Sequence, residues 1–300
     1  MSRTGLFQRI LALVLCAVMV VGFIPSTVFT ARADELSLGE VTGDDEVVAV
    51  PEDEPSAPDG ETGENNVPLG LHYAVEEGSV VIMGYEGTVP TLVIPAEIEG
   101  FPVTRIENGA FAQRDALTSV VLPDSITQIG KWVFEGCDSL TSVTMPEGPC
   151  VLEGNPFCDC PKMNLTSYEG GIYAGSRTNP YAFLLEVTNK DLAQVAIHAN
   201  TQNIAGNAIW GFGNITELTI PDSVLTIAEN AIYGCVNVTC LTIGSGVEYI
   251  GANNFFGMDA LEAISISEDN AYYCMDAQGV LFNKDKTELV MALPSLTGVY

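Results

Sequence analysis

The chain contains 300 residues, of which 39 are acidic and 11 are basic, so its formal net charge at pH 7 is −28. This balance argues against a nucleic-acid-binding protein, because phosphate recognition requires a basic patch and the sequence contains none. The sequence has only two histidines, His72 and His198, which are too few for a histidine-rich metal centre or an easily assembled Ser-His triad.

Residues 1–33 have the features of a secretory signal peptide. Arg3 and Arg9 flank the start of an apolar run from Ile10 to Ile24, and Ala31-Arg32-Ala33 is a small-x-small cleavage site. The run is shorter than the roughly 20 residues that span a bilayer. We therefore predict cleavage after Ala33, a secreted or cell-surface location and no membrane insertion after cleavage. A retained membrane anchor is the alternative.

Residues 34–67 form a segment with twelve acidic residues, three prolines and no basic residue. Such a segment repels itself and buries too little apolar surface to offset the entropy of ordering it. We predict an acidic disordered linker. The alternative is cation binding by the acidic triplets at 44–46 and 52–54, but a calcium loop also requires ligands at set alternating positions.

Residues 68–300 carry a repeat of 23 residues. The equivalent apolar positions are Ile106, Ile129 and Leu152; Phe111, Phe134 and Phe157; Ile204, Ile227 and Ile250; and Ile209, Ile232 and Phe255. A second apolar group follows in each unit in the order L-x-x-L-x-L, for example at Leu117, Val120 and Leu122. Alternating inward residues predict one short strand per repeat, and the period predicts a leucine-rich-repeat solenoid.

Two stretches carry a resemblance to a known family. LPDSITQIG runs from Leu122 to Gly130 and is followed by VFEGC ending at Cys137, and IPDSVLTIA with AIYGC recurs between Ile220 and Cys235. These units resemble the BspA-type bacterial leucine-rich repeats, over about residues 70–300. The resemblance implies an α/β-type repeat solenoid with short parallel strands in a concave sheet, an irregular or short helical convex side, and inserted hairpins. Family members act as adhesins toward host or neighbouring-cell proteins.

The cysteines follow the repeat. Cys137, Cys160 and Cys235 each lie eight residues after the first apolar position of a unit, which predicts a ladder of small buried side chains. We therefore interpret Cys158-x-Cys160 as structural and not as a redox or zinc motif, and we expect no metal or cofactor. The disulfide state of Cys150, Cys158, Cys240 and Cys274 stays open, and a bridge from Cys150 to Cys158 is one alternative.

The repeat is interrupted at about residues 165–200. Within this family similar stretches are longer coils in which a hairpin replaces the short convex segment, and residues 270–293 have the same character. A second interpretation makes the aromatic residues of the insertion a binding ridge, since loops on a rigid scaffold often carry function. The residues of this candidate ridge are Tyr168, Tyr173, Tyr181 and Phe183.

The outward positions of the predicted strands define a candidate ligand-binding face. One row is Ser119, Ser142, Glu217, Cys240 and Ala263, and its neighbour is Val121, Thr144, Thr219, Thr242 and Ser265. Small hydroxyls and one carboxylate suit contact with a protein or glycan surface, or the face is merely solvated. General acid–base catalysis needs two positioned titratable groups, and this face offers only Glu217. We predict no catalytic residue.

These features predict a secreted or cell-surface protein that mediates protein–protein binding or adhesion through the concave sheet and is not an enzyme. The expected partners are host or bacterial surface proteins or glycans, without nucleic acid. The alternative is a non-catalytic N-terminal module or spacer of a larger extracellular or cell-wall enzyme. Because the chain ends at Tyr300 within what reads as an unfinished coil, we also expect that it is truncated at the C-terminus.

Overall fold

The computed structural model describes residues 67–296. The predicted signal peptide, the linker up to residue 66 and the chain end at Tyr300 lie outside the described residues. The described part is a β-solenoid of about eight turns with parallel strands, as expected for leucine-rich repeats. Residues 67–296 contain strands and turns but no helix, and none of their elements is a long apolar helix of the kind that spans a membrane.

The strands are short and follow one another at repeat spacing. The first twelve are β1 (Leu71–Glu76), β2 (Ser79–Tyr85), β3 (Thr91–Val93), β4 (Glu97–Ile98), β5 (Phe101–Ile106), β6 (Ser119–Val121), β7 (Gln128–Ile129), β8 (Ser142–Thr144), β9 (Val151–Leu152), β10 (Thr166–Tyr168), β11 (Gly171–Ala174) and β12 (Phe183–Val187). The remaining ones are β13 (Asn203–Ile204), β14 (Ile209–Trp210), β15 (Glu217–Ile220), β16 (Thr226–Ile227), β17 (Ile232–Tyr233), β18 (Cys240–Ile243), β19 (Tyr249–Ile250), β20 (Ala263–Ile266), β21 (Tyr273–Met275), β22 (Val280–Asn283) and β23 (Leu289–Ala292).

Each regular coil contributes strands to at least two sheets, whereas one strand per repeat was predicted. The L-x-x-L-x-L segments form the parallel sheets β3-β6-β8 and β15-β18-β20. The isoleucine positions of the repeat form a second line of parallel pairs, β5-β7-β9 and β13-β16-β19. A further pair, β14 with β17, lies on the turn side. The sequence pattern alternates over only two residues at these extra strands, which is too short to predict a strand.

The turn side of the coils is irregular. The resemblance implied either an irregular or a short helical convex side, and residues 67–296 contain no helix. The turns on this side use left-handed backbone at Asn207, Asn230 and Asn253, where φ is 63°, 55° and 58°. Asparagine is one of the few residues that adopts this conformation at low cost. The repeat therefore closes each coil with a turn and not with a helix.

The interior is filled by in-register stacks of identical positions. In the first coils Tyr85, Phe111, Phe134 and Phe157 follow one another with ring centroids 5.9, 5.3 and 5.7 Å apart. The predicted cysteine ladder runs beside this stack: the Cys137 thiol lies 3.1 Å from the carbonyl oxygen of Phe111, to which it donates. Each coil thus covers the apolar face of its neighbour, which is how a solenoid acquires a core.

The interruption contains antiparallel strands. β10, β11 and β12 pair antiparallel in sequence, and β12 then pairs parallel with β13, where the regular coils resume. The side chain of Asn203 at this point connects the two sections: its Oδ1 accepts from the Cys150 backbone N–H at 3.0 Å, and its Nδ2 donates to the Gly148 carbonyl at 3.2 Å. At the other end of the described residues β21, β22 and β23 form an antiparallel meander.

Candidate functional site

The first strand face is formed by the outward side chains of β3, β6 and β8. Ser119 pairs with Ser142 and Val121 with Thr144 in the parallel register, and the inward residues between them are buried. The Ser142 hydroxyl donates to the Ser119 hydroxyl at 3.0 Å. Ser142 is exposed and the other three side chains are half-buried. The in-register pairing that the repeat predicted therefore produces a row of hydroxyl groups beside a row that begins with valine here.

β3 extends this first face by one strand that sequence analysis missed. Thr91 pairs with Ser119 and Val93 with Val121, so Thr91 and Val93 continue the two rows. Their spacing from the next coil is 28 residues and not 23, because the β4–β5 hairpin lies between them. A search at a fixed period of 23 cannot find a coil of a different length.

The second strand face is formed by β15, β18 and β20. The register aligns Glu217, Cys240 and Ala263 in one row, and Thr219, Thr242 and Ser265 in the other. Cys240 and Thr242 are half-buried and the other four side chains are exposed. Glu217 is the one titratable carboxyl of this face, as the sequence indicated.

The two faces belong to separate three-stranded sheets, so the predicted rows are not continuous. The coil after β8 makes a single parallel bridge from Met145 to Ser176, where a regular repeat would place a strand. This bridge involves the inserted segment, which has displaced the regular strand. The longer coil between residues 165 and 200 therefore divides the candidate residues between two faces.

A polar groove of ≈ 530 Å³ borders the first face where the insertion begins. The residues that line it are Ser142, Val143, Thr144, Met163, Asn164, Thr166, Gly175, Ser176, Arg177, Thr178, Asn179 and Pro180. Glu147 fixes its rim, since its carboxylate accepts from the Ser176 hydroxyl at 3.0 Å and from the Thr178 backbone N–H at 3.1 Å. Arg177 is ion-paired with Asp124. The insertion thus adds hydroxyl and amide groups beside the serine and threonine rows.

The aromatic residues of the insertion do not form a ridge of four. Tyr173 and Phe183 are buried at 0% exposure, because nearly every residue of β11 and β12 lies in the core. Tyr168 is exposed and Tyr181 half-buried, and both contact His198: the Tyr181 and His198 rings stack at 3.7 Å, and Tyr168 meets His198 edge-on at 4.8 Å. His198 was not predicted as part of this cluster, since it lies outside the tyrosine-rich stretch.

The thiols of the described residues are all free, so the possible Cys150 to Cys158 bridge is not formed. Burial raises the pKa of the Cys150 thiol to about 12 and that of the Cys160 thiol to about 11. A thiol must ionise to act as a nucleophile or metal ligand, so both are poorly suited to either role near neutral pH. Within residues 67–296 no three His, Cys, Asp or Glu side chains are grouped as metal ligands.

The parallel strands in 23-residue register define a leucine-rich-repeat solenoid. A family model described as the BspA type leucine rich repeat region matches residues 104–183 and 176–278, with six copies of the repeat. The chain therefore belongs to the BspA-type leucine-rich-repeat family. Members of this family are typically cell-surface binding proteins and not enzymes.

Solved structures of bacterial leucine-rich-repeat proteins are similar to this chain at low identity. One from T. pallidum has 18% identity and a TM-score of 0.35, with 64% of this chain and 88% of that chain covered. A leucine-rich cell surface protein from Faecalibacterium prausnitzii has 25% identity and a TM-score of 0.34, with 75% and 59% covered. No curated protein matches the chain.

Proposed function

We propose that the chain is a secreted or cell-surface protein that binds other proteins through its two strand faces and thereby mediates adhesion. The observation that carries the proposal is the geometry of these faces, on which short polar side chains stand in register on parallel strands. A flat surface of this kind lets a partner approach the backbone closely, and its hydroxyls serve as both donors and acceptors. Membership of a family of binding proteins supports the same conclusion.

The charge of the chain indicates the kind of partner. Residues 67–296 contain 27 acidic and eight basic residues. Some of these bases are already engaged: Arg105 lies 2.9 Å from Glu76 and from Glu107, and Arg177 is paired with Asp124. Potentials across an interface are complementary, so a partner with a basic surface is favoured and association weakens as salt increases.

A non-catalytic role is part of the proposal. The second strand face carries one carboxyl group, Glu217, and one thiol, Cys240, and its rows contain neither a histidine nor a second carboxyl group. The groove beside the first face has one charged side chain in its lining, Arg177, which already has a carboxylate partner. General acid–base catalysis needs two positioned groups, and no hydrogen bond joins Glu217 to Cys240 in the described residues, so neither surface shows such a pair.

The test is binding of the full chain to purified host extracellular-matrix proteins and to purified bacterial surface proteins. A first variant carries Glu217→Lys, Thr219→Lys and Thr242→Lys on the second face, and another carries Ser119→Lys and Ser142→Lys on the first. We expect at least one to lose binding while keeping the parent's circular dichroism spectrum, because the new side chains obstruct the strand surface.

A matched control separates obstruction from a change in charge. Asp115→Lys together with Asp138→Lys alters net charge by the same amount as the triple variant, at exposed turn positions away from both faces. It should retain binding apart from a moderate loss of affinity for basic partners. Unchanged binding in both face variants, or an equal loss in the control, would contradict binding through the strand faces.

A further inference from the structure

An aromatic column lies on the turn side of three successive coils, away from both strand faces. It consists of Trp210, Tyr233 and Phe256, which occupy the same repeat position. Trp210 pairs with Tyr233 in the parallel β14–β17 register, and the residue before each aromatic is buried. The column therefore points outward; Trp210 is 45% exposed and Phe256 is 76% exposed.

The repeat itself does not require aromatic residues at this position. In the preceding coils the equivalent residues are Ala112, Glu135 and Cys158. Half-buried or exposed rings on three consecutive coils form a contiguous apolar surface, which Val236, 45% exposed, extends. Contiguous apolar patches of this kind mark interaction sites on soluble proteins.

Neighbouring side chains hold Trp210 at one end of the column, whereas Phe256 at the other end is largely exposed. The Lys190 ammonium lies 4.5 Å from the centre of the Trp210 ring and donates to the Trp210 carbonyl at 2.9 Å. The Tyr233 ring stacks on Trp210 with centroids 6.1 Å apart and planes 15° apart. Phe256 is 76% exposed, and the ring contacts of residues 67–296 do not include it, so an incoming apolar group can pack against it.

Asparagines recur three residues before and four residues after positions of the column in the sequence. They are Asn207, Asn230 and Asn253 in the first group, and Asn214 and Asn237 in the second. The left-handed turns explain why asparagine is tolerated in the first group, but its amide also offers donors and an acceptor to a ligand. Glu229 accepts from the amide nitrogens of Asn230 and Asn253, at 3.3 and 3.1 Å, so their amide oxygens remain acceptors.

Three charged side chains lie next to the column, namely Lys190, Glu229 and Asp259. Lys190 covers the Trp210 ring, and Glu229 binds two asparagines. Asp259 is an exposed carboxylate at the end of a surface that is otherwise aromatic and amide, and the body of the chain is strongly acidic. An anionic ligand is repelled by that body, and a basic partner is drawn to carboxylates elsewhere. This composition favours an uncharged ligand that carries both hydroxyls and apolar C–H surface.

The geometry points to a binding surface for a neutral polysaccharide on the aromatic column. The apolar faces of its sugar rings pack on Phe256 and Tyr233, and its hydroxyls hydrogen-bond the flanking amides. Adjacent coils are about 4.8 Å apart, so three coils span about 10 Å, the scale of a short oligosaccharide. The surface is separate from the strand faces and does not depend on the function proposed for them.

The test is affinity electrophoresis of the full chain in gels that contain a dissolved β-glucan, mannan or starch, with polygalacturonate as the acidic polysaccharide. We expect retardation by at least one neutral polysaccharide, and roughly tenfold weaker binding for Phe256→Ala and for Tyr233→Ala. Trp132→Ala is the matched control, because Trp132 is 51% exposed but lies off the column. It should be retarded like the parent.

Two further readouts distinguish the neutral ligand from other causes. Retardation should persist at high salt, since the contact involves no charge pairing. In Trp132→Phe, Trp210 is the single remaining tryptophan, and its fluorescence should change and saturate with the retarding polysaccharide. Retardation by none of the neutral polysaccharides, retardation only by polygalacturonate, or equal retardation of the parent and the column variants would overturn the inference.

Discussion

Gly206 lies where neighbouring coils leave no room for a side chain. A Cβ atom at this residue would be 2.0 Å from the carbonyl oxygen of Glu153 and 3.1 Å from that of Glu229. Both are backbone atoms, so they can yield only if a neighbouring strand shifts. At the residue scale, the stacking distance of the coils therefore selects glycine here.

We expect Gly206→Ala to lower the free energy of unfolding by about 1–3 kcal/mol, the usual cost of overpacking a core. Denaturation with urea measures this change. Gly213→Ala is the control, because a Cβ there meets nothing within 4 Å, and its effect should stay within about 0.5 kcal/mol. Similar stability of the two variants would show that the coils separate easily.

The Cys150 thiol gives stability a dependence on alkaline pH. Burial raises its pKa from the ordinary 9.0 to about 12. Because the folded-state pKa is the higher one, the contribution of the thiol is fully present below pH 9 and is lost as the pH rises from 9 toward 12. We expect the difference in Tm between the parent and Cys150→Ala to shrink between about pH 8 and about pH 11. A Tm difference that stays constant over this pH range would contradict the raised pKa of the Cys150 thiol.

At the scale of elements, the insertion requires a special joint between the first and second groups of coils. The buried Asn203 side chain supplies it through Cys150 and Gly148, and the Thr226 hydroxyl donates to the same amide oxygen at 2.9 Å. The ring stacks of the regular coils do not continue across this point. The joint is therefore polar, whereas the stacks within the regular coils are built from apolar and aromatic side chains.

Removing this amide should destabilise the chain more than removing an exposed one. Asn203→Ala leaves the Cys150 N–H without its partner, and an unsatisfied buried group costs about 1–3 kcal/mol. Asn237→Ala is the control, since that exposed side chain makes one bond, to the Gly213 carbonyl, and we expect a loss of about 0.5 kcal/mol. Equal losses of unfolding free energy would argue against a structural joint at Asn203.

At the scale of the whole molecule, charge opposes folding. The described residues carry 27 acids and eight bases, so compaction brings like charges together. Raising KCl from about 20 mM to about 500 mM screens this repulsion, and we expect the Tm to rise. The variant with Asp115→Lys and Asp138→Lys carries less negative charge and should show a smaller rise. A Tm that falls with salt would mean that favourable ion pairs outweigh the repulsion.

The regular coils could be predicted from the sequence because their buried positions recur every 23 residues. Ile129, Phe134 and Cys137 lie where the period placed them, in the core. The extra strands at Gln128–Ile129 and its equivalents were missed, since two residues carry no detectable alternation. The aromatic column was also missed, although Trp210, Tyr233 and Phe256 share one repeat position, because the strands β14 and β17 that carry two of these residues are only two residues long and show no detectable alternation.

The sequence by itself determined the family, the solenoid and the rows of outward residues, because in-register stacking repeats the same local environment in every coil. Only the tertiary structure decided how the coils whose length departs from 23 residues are arranged. The longer coil at residues 165–200 splits the candidate face into two sheets and buries Tyr173 and Phe183. These outcomes depend on contacts between residues far apart in the chain, such as Asn203 with Gly148, and no repeat pattern encodes such contacts.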